Sequence, residues 1–209
     1  KIIQELILAR FIYNTQTIFT VHSFLIDHYM PNNSWLTRLM YNHCLANVAI
    51  TYEMKILIEN KHHLKNVFTI HNPLNLEEIK EKQNEEIDFD FNFIIAVGQY
   101  ENGIKQFEQL IPSYAKSDLP QKQIHLVIVG NGEQSKFEKT ILEYKIKEFV
   151  HFTGYQNNPF KYLRKAQFLV VSSKNEGFPN VVLEALYYGI PVVATNCVDF
   201  SEVINNGVN

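Results

Sequence analysis

The chain has 209 residues, of which 46% are hydrophobic and 20% are charged, and this balance is typical of a folded globular protein with a sizeable core. A formal net charge of −3 and an isoelectric point near 6.3 argue against a nucleic-acid-binding protein, which usually carries a basic surplus. The two cysteines, Cys44 and Cys197, lack the spacing of a metal site or a disulfide framework.

The first third of the chain alternates short β-branched runs with amphipathic windows, as strands and helices do. Strands are predicted over 17–22, 47–52 and 66–72, and helices over 34–45 and 53–60. The next stretch, 73–92, is polar and acidic without a strand pattern. It predicts a linker that carries a short helical turn.

From residue 93 the alternation is regular, and Val- and Ile-rich runs are typical of strands buried on both faces of a parallel sheet. The predicted strands cover 93–98, 124–130, 149–154, 167–173 and 191–196, and the predicted helices cover 105–116, 134–146, 159–165 and 180–188. The pattern predicts an α/β protein of two doubly wound units joined near 73–92.

The first of these units has only three predicted strands, whereas a complete doubly wound sheet has about five or six. The second unit stops just past a helix, at EVINNGVN. We therefore expect a fragment that lacks both ends.

Glycines follow several of the predicted strands at their carboxyl ends, where an open α/β sheet binds its ligand. Gly98 ends one strand and Lys105 opens the next helix, so helix amides and an ammonium group are available to an anion. Alternatively, Lys105 is a solvated residue of the first turn. Gly130 and Gly132 flank Asn131 without the third glycine of a dinucleotide-binding fingerprint, and they either turn the chain or leave a flat floor for a ligand.

The turn after 149–154 carries Tyr155, and its ordinary interpretation is a β–α connection with Asn158 as the helix cap. The next turn begins the apolar segment SSKNEGFPNVVLEALYYGIPVVATN, which contains two glutamates. Glu176 in the loop is also explained by the dipole of the following helix. Glu184 is either a solvent-facing charge or a residue that shares a functional side of the helix with Asn180.

Convergence favours a functional interpretation, because all four loops leave the same edge of one sheet. Together they offer amides and a lysine for phosphate, two carboxylates for hydroxyl groups and an aromatic side chain for a ring. That set of groups suits a nucleotide sugar.

The motifs AVGQY…IKQFEQLI, LVIVGNGEQ and EGFPNVVLEALYYGIPVVATN resemble the carboxy-terminal domain of the retaining glycosyltransferases of family 4, the glycosyl transferases group 1 domain. TIFTVHSF and VFTIHNPLN resemble the end of that family's amino-terminal domain. The resemblance implies GT-B architecture, with two Rossmann-like domains of which the first is incomplete. It assigns 1–75 to the acceptor-side domain, 76–92 to a linker and 93–209 to a truncated nucleotide-sugar-binding domain.

The resemblance also implies roles for individual residues. Glu176 contacts the donor sugar at the reacting face, and His22 faces the sugar from the amino-terminal domain. Lys105 binds the diphosphate, and Glu184 accepts hydrogen bonds from the ribose hydroxyls. His22, Glu176 and Lys105 are thus the expected catalytic residues.

The remaining donor-binding residues come from the loops. Amides around Phe178, Pro179 and Asn180 would hold sugar and phosphate, and the loop at Tyr155 would bind the base. The predicted donor-binding set is completed by Gly98, Gln99 and Asn131. Gln99 departs from the family, which usually has arginine there, so stabilisation of the leaving group rests on Lys105 and on helix amides.

The implied reaction transfers a hexose from a nucleotide diphosphate sugar, with UDP the expected nucleotide, to a glycan or lipid-linked acceptor with retention of anomeric configuration. No metal, cofactor or nucleic acid is expected. The expected location is the cytoplasm, with peripheral association at the inner face of the cytoplasmic membrane.

Two alternatives remain open from the sequence. Gln99 is compatible with a non-catalytic protein that binds nucleotide sugars. A sugar-nucleotide epimerase of the same two-domain architecture is the other, and it would isomerise its substrate with no acceptor present.

Overall fold

The computed structural model describes residues 9, 13, 15–23, 26–30, 34–82, 84–100, 103–197, 200 and 202–204. The chain divides into two compact units according to its internal contacts. The first unit comprises Lys1–Pro73 with Glu176–Phe178, and the second comprises Leu74–Asn175 with Pro179–Asn209.

The first unit contains a parallel sheet with the strand order β1-β2-β3. Its strands are β1 (Ile18–Val21), β2 (Ala46–Ala49) and β3 (Val67–Thr69), and its helices are α1 (Ile26–Tyr29), α2 (Ser34–Tyr41) and α3 (Tyr52–His62). Strand and helix residues meet in one core, in which Val21, Ala49, Met54 and Ile58 are fully buried. The three predicted strands are therefore confirmed.

Two predicted bounds in this unit shift for local reasons. Strand β2 stops at Ala49 because Thr51 caps helix α3, and its side chain accepts a hydrogen bond from the Met54 N–H at 3.1 Å. Helix α2 ends at Tyr41 rather than at residue 45, since the Leu45 N–H donates to the Thr17 carbonyl at 2.8 Å and leads the chain into β2.

The second unit contains a five-stranded parallel sheet with the order β6-β5-β4-β7-β8. Its strands are β4 (Phe93–Val97), β5 (His125–Val129), β6 (Val150–Gly154), β7 (Leu169–Val171) and β8 (Val192–Ala194). Its helices are α4 (Leu76–Lys82), α5 (Phe107–Lys116), α6 (Ser135–Glu143), α7 (Phe160–Leu163) and α8 (Asn180–Tyr187). All five predicted strands are confirmed, and α4 lies in the stretch that was predicted as a linker with a helical turn.

The strand order reverses at β4, which pairs with β5 on one side and with β7 on the other. Such a reversal creates a crevice at the carboxyl ends of the two central strands, and open α/β sheets bind ligands there. The loops that follow β4 and β7 therefore occupy the place where this topology favours a site.

Candidate functional site

The ends of β4, β5 and β6 meet through their backbones. The Gly98 N–H donates to the Val129 carbonyl at 2.9 Å, and the Gly130 N–H donates to the Gly154 carbonyl at 3.0 Å. A Cβ at position 130 would lie 1.8 Å from the Gly98 carbonyl oxygen, so only glycine allows this approach.

The floor suggested for the two glycines around Asn131 is occupied by Tyr100. A Cβ at Gly132 would lie 2.7 Å from Cβ of Tyr100, and a Cβ at Gly130 would lie 3.3 Å from its ring. Tyr100 is 2% exposed, its N–H donates to the Asn131 carbonyl at 2.9 Å, and burial raises its pKa to about 12. The space that a side chain at position 130 or 132 would occupy is thus filled by Tyr100.

Lys105 precedes helix α5 rather than opening it, which corrects the sequence prediction. Gln106 has φ of 50°, a left-handed conformation that a right-handed helix cannot contain, and α5 therefore begins at Phe107. The Lys105 side chain lies along Gly98, because a Cβ at that glycine would come within 2.6 Å of the Lys105 Cε. The structure thus brings Gly98 and the Lys105 side chain together.

The loops after β4 and β7 are joined by two hydrogen bonds. The Ser172 hydroxyl donates to the Lys105 carbonyl at 2.5 Å, and the Lys174 N–H donates to the Ile104 carbonyl at 2.7 Å. Lys105 is therefore held beside the segment that leads into α8.

Helix α8 begins at Asn180, and Pro179 is its N-cap with an extended backbone. The Pro179 carbonyl accepts from the Val182 N–H at 2.9 Å. Proline has no N–H, so the amides predicted around this position come from Phe178 and Asn180. Pro179 is buried and Asn180 is exposed.

Glu184 lies in the middle of α8 and is half-buried, which argues against a fully solvent-facing charge. Burial raises the pKa of its carboxyl group, and the charge of Glu78 on α4 raises it further. One turn later, the Tyr188 hydroxyl is buried and has no hydrogen-bond partner among the described residues, and burial raises its pKa as well. A carboxyl group with a raised pKa in a half-buried setting is a common feature of binding sites.

Glu176, Gly177 and Phe178 belong by their contacts to the first unit, which also contains His22. A Cβ at Gly177 would lie 1.8 Å from the His22 carbonyl oxygen. The Phe178 side chain packs against the core of that unit, and its carbonyl accepts from Asn72 at 3.5 Å. The structure thus brings together the segment of Glu176 and the backbone of His22, whose side chain is exposed.

The other predicted residues occupy more open positions. Gln99 and Asn131 are exposed, and Tyr155 is 71% exposed. Asn158 does not cap α7 as expected: its side chain donates to the Lys82 carbonyl at 2.7 Å, and Pro159 is the N-cap. Tyr100 and Asn158 are two residues whose structural roles the sequence analysis missed, and an aromatic residue inside a glycine-rich turn was the available signal for Tyr100.

The described part of the chain has no group of three or more His, Cys, Asp or Glu side chains that could hold a metal ion. Within the same residues, no helix has the length and hydrophobicity that crossing a membrane requires.

A groove of about 520 Å³ lies between α6 and the edge strand β6, where its lining includes His151 and Phe89. None of the predicted site residues lines that groove.

The family model described as glycosyl transferases group 1 matches residues 77–209. One curated relative is N-acetylgalactosamine-N,N'-diacetylbacillosaminyl-diphospho-undecaprenol 4-alpha-N-acetylgalactosaminyltransferase of Campylobacter jejuni, 37% identical over 61% of this chain and 34% of that protein. Another is an uncharacterized glycosyltransferase of Methanocaldococcus jannaschii, 30% identical over 77% of this chain and 42% of that protein. The chain thus spans less than half the length of these two relatives.

Solved structures show the same fold. Anabaena Alr3699/HepE in complex with UDP-glucose matches with a TM-score of 0.75 at 19% identity, over 97% of this chain and 59% of that one. The lipopolysaccharide outer core galactosyltransferase WaaB matches with a TM-score of 0.71 at 22% identity, over 99% of this chain and 57% of that one.

Proposed function

Because the chain belongs to the glycosyl transferases group 1 family and has the Rossmann-like α/β fold of GT-B glycosyltransferases, we propose that its protein transfers a hexose from a nucleotide diphosphate sugar. The proposal includes UDP as the nucleotide, retention of anomeric configuration as in family 4, and a reaction without a metal ion or cofactor. The acceptor is a glycan or a lipid-linked glycan.

One observation carries this proposal. At the reversal of the strand order, Lys105 lies along Gly98 and is tied to the β7 loop, which leads into a helix with a half-buried glutamate. An ammonium group and the amino end of a helix attract phosphate. A carboxylate one turn into that helix can accept hydrogen bonds from hydroxyl groups.

In the proposed reaction, the bond between the anomeric carbon and the diphosphate oxygen breaks, and the acceptor oxygen bonds to that carbon and loses its proton. Negative charge develops on the departing diphosphate. Lys105 and the amino end of α8 are the groups of this chain that would stabilise it, since fixed charges and dipoles act most strongly where charge develops. Glu176 and His22 are proposed at the reacting face.

The relatives support the substrate classes. HepE was solved with UDP-glucose, which supports a UDP-sugar as the donor. The name of the Campylobacter relative contains diphospho-undecaprenol, which supports a lipid-linked acceptor. We also propose that the reaction takes place in the cytoplasm, at the inner face of the cytoplasmic membrane, with peripheral association of the enzyme.

Calorimetric titration of the protein with UDP, GDP and ADP tests the donor site. We expect UDP to bind best, and Glu184→Ala to weaken UDP about 10- to 100-fold because a hydrogen bond to a charged group is lost. Glu138→Ala is the matched control, since Glu138 is an exposed glutamate on α6. Unchanged affinity in Glu184→Ala would refute the assigned role, and failure of all three nucleotides to bind would refute the function.

A transfer assay with UDP-sugars and lipid-linked acceptors tests the chemistry. We expect Lys105→Met to lower turnover about a hundredfold, the usual effect of losing one group that stabilises developing charge. Activity that is unchanged by a chelator is expected, and activity that disappears with the chelator would contradict the metal-free proposal. The anomeric configuration of the product, read by NMR, decides between retention and inversion.

The second candidate is a non-catalytic protein that binds nucleotide sugars. Gln99 favours this candidate, because its exposed side chain is neutral, whereas the family usually has a charged arginine at this position. That candidate predicts no transfer in the native protein and none after Gln99→Arg. A transferase rate in the native protein eliminates it.

A further inference from the structure

The last residue of helix α4, Lys82, contacts the loop between β6 and α7 (residues 155–159). Its carbonyl accepts a hydrogen bond from the Asn158 side chain at 2.7 Å. Its ammonium group lies 3.5 Å from the Asn157 carbonyl and 2.6 Å from the Glu78 carboxylate. Two successive residues of the loop are thus tied to a helix that precedes the sheet in the chain.

Asn158 is an unusual residue to bury in this place. It is 5% exposed, and its Oδ1 atom is buried without a hydrogen-bond partner among the described residues. A buried polar atom without a partner is unfavourable by about 1–3 kcal/mol. The hydrogen bond from its amide to Lys82 is the contact that offsets this cost.

Helix α4 is itself stabilised by side-chain contacts at its start and at its end. Asn75 and Glu78 form a reciprocal cap at its start, in which the Glu78 N–H donates to Asn75 at 3.2 Å and the Asn75 amide donates to the Glu78 carboxylate at 3.2 Å. Glu78 then holds Lys82 one turn later. The partner of the loop is therefore a capped helix with an internal ion pair.

Helix α7, which follows the loop, and the residue after it make two further contacts with residues just after α4. Lys161 of α7 lies 3.4 Å from the Glu85 carboxylate, and Arg164 donates to the Asn84 side chain at 3.1 Å. Each exposed contact contributes little alone. Together they run along α7 and keep it aligned with the segment that follows α4.

Two further hydrogen bonds among the described residues lie at the start of the loop. At its start the Gly154 carbonyl is held by Gly130, and the Gln156 side chain donates to the Thr153 carbonyl at 3.0 Å. Tyr155, between these two points, is 71% exposed. The contact between Lys82 and Asn158 thus fixes the far end of a loop whose first residue, Tyr155, is exposed to solvent.

We propose that Lys82 and Asn158 are positioning residues, which hold the β6–α7 loop in the conformation that receives the base of the donor nucleotide. This inference rests on the proposed function and on the role that the family resemblance implies for the loop at Tyr155, which is to bind the base. The two residues act through the loop and contact no ligand themselves. A loop that spends a tenth of its time in the binding conformation lowers the apparent affinity about tenfold.

The test compares UDP with ADP, which shares the ribose and the diphosphate and differs in the base. In calorimetric titrations of the protein as its gene encodes it, Asn158→Ala is expected to weaken UDP about tenfold, and Lys82→Met about threefold. ADP affinity is expected to change less, so the ratio of UDP to ADP affinity falls. Lys82→Arg should restore most of the loss.

Matched controls exist away from the contact. Asn60→Ala removes the side chain of an exposed asparagine on α3, outside the loop. Lys80→Met removes an exposed charge from α4, the helix that contains Lys82. Both controls are expected to bind UDP as the native protein does.

Three results would overturn the inference while nucleotide binding by the native protein stands. These are unchanged UDP affinity in Asn158→Ala, an equal loss of UDP and ADP affinity, and a loss of equal size in the controls. If Asn158→Ala fails to fold, Lys82→Met decides, since it leaves the buried asparagine in place. Absence of nucleotide binding in the native protein is a different result, because it refutes the proposed function itself.

Discussion

At the carboxyl edge of the five-stranded sheet, Gly98 and Gly130 let strand ends meet through their backbones, whereas at the amino edge aromatic rings cover two histidines. Phe91 stacks on His125 with centroids 4.0 Å apart and on His151 at 4.7 Å. His125 Nδ1 and His151 Nε2 lie 2.8 Å apart, and one ring nitrogen donates to the other.

Burial shifts the pKa values of the two histidines and of Glu184 in opposite directions. Burial lowers the pKa values of His125 and His151, so both are neutral near pH 7 and their burial is then inexpensive. Burial raises the pKa of Glu184, which is unfavourable to its ionised form at the same pH. Burial therefore favours the neutral histidines at the amino edge, whereas it is unfavourable to the ionised carboxyl group of Glu184 on α8.

The largest expected effect comes from breaking the backbone contact at the carboxyl edge. Gly130→Ala places a methyl group 1.8 Å from the Gly98 carbonyl oxygen, and the strand ends must separate. We expect a loss of about 3 kcal/mol or more in the free energy of unfolding. Urea denaturation measures it.

The control for this change is Gly103→Ala, where a Cβ would meet no atom within 4 Å. Its φ of 62° makes it unfavourable by about 1–2 kcal/mol through backbone conformation alone. If the two variants lose the same stability, the contact between Gly98 and Gly130 is not the cause.

A smaller effect is expected at the amino edge. Phe91→Ala removes the ring that stacks on both histidines, and we expect a loss of about 2 kcal/mol in the free energy of unfolding. Phe68→Ala in β3 is the control, because Phe68 is exposed. The pKa values of the histidines, measured by NMR, should rise towards their usual value as water reaches them. Unchanged pKa values would argue that the ring does not shield them.

Glu184→Gln should stabilise the protein at pH 7 by up to about 1 kcal/mol while it weakens nucleotide binding. Because the pKa of Glu184 is raised in the folded state, its protonated carboxyl group contributes stability below pH 4.5, the usual pKa. This contribution is lost as the pH rises through the pKa of the folded state. The gain should therefore shrink at pH 4, where the native glutamate is largely protonated. A gain of equal size at both pH values would mean that ionisation of Glu184 is not responsible. Glu138→Gln should show no gain.

The smallest expected effect is the pH dependence of the amino edge. Because the pKa of His151 is lowered from its usual 6.5, this histidine is protonated in the unfolded chain at a higher pH than in the folded protein. Stability is then fully present above pH 6.5 and declines below it. His151→Gln should make thermal unfolding less sensitive to pH between 7 and 5.5. An unchanged slope in His151→Gln would contradict this account.

Sequence patterns predicted the alternation of elements in both units well. Strands β4 and β5 read as Val- and Ile-rich runs because both of their faces are buried, and glycines marked the ends of β4, β5 and β6. Helix starts were predicted less well at α5, where the left-handed Gln106 has no sequence signal. The division of the chain was predicted near 73–92, but no local pattern indicated that Glu176–Phe178 groups with the first unit.

By itself, the sequence determined the α/β class, the order of the elements and the residue types at the strand ends, because these depend on hydrophobic period and on the conformational freedom of glycine. Tertiary structure alone decided that Tyr100 fills the glycine turn, that Glu184 is half-buried, and that Asn158 binds Lys82, 76 residues earlier in the chain. Such contacts join residues that are distant in sequence. Their partners are chosen by packing between elements, which local periodicity does not record.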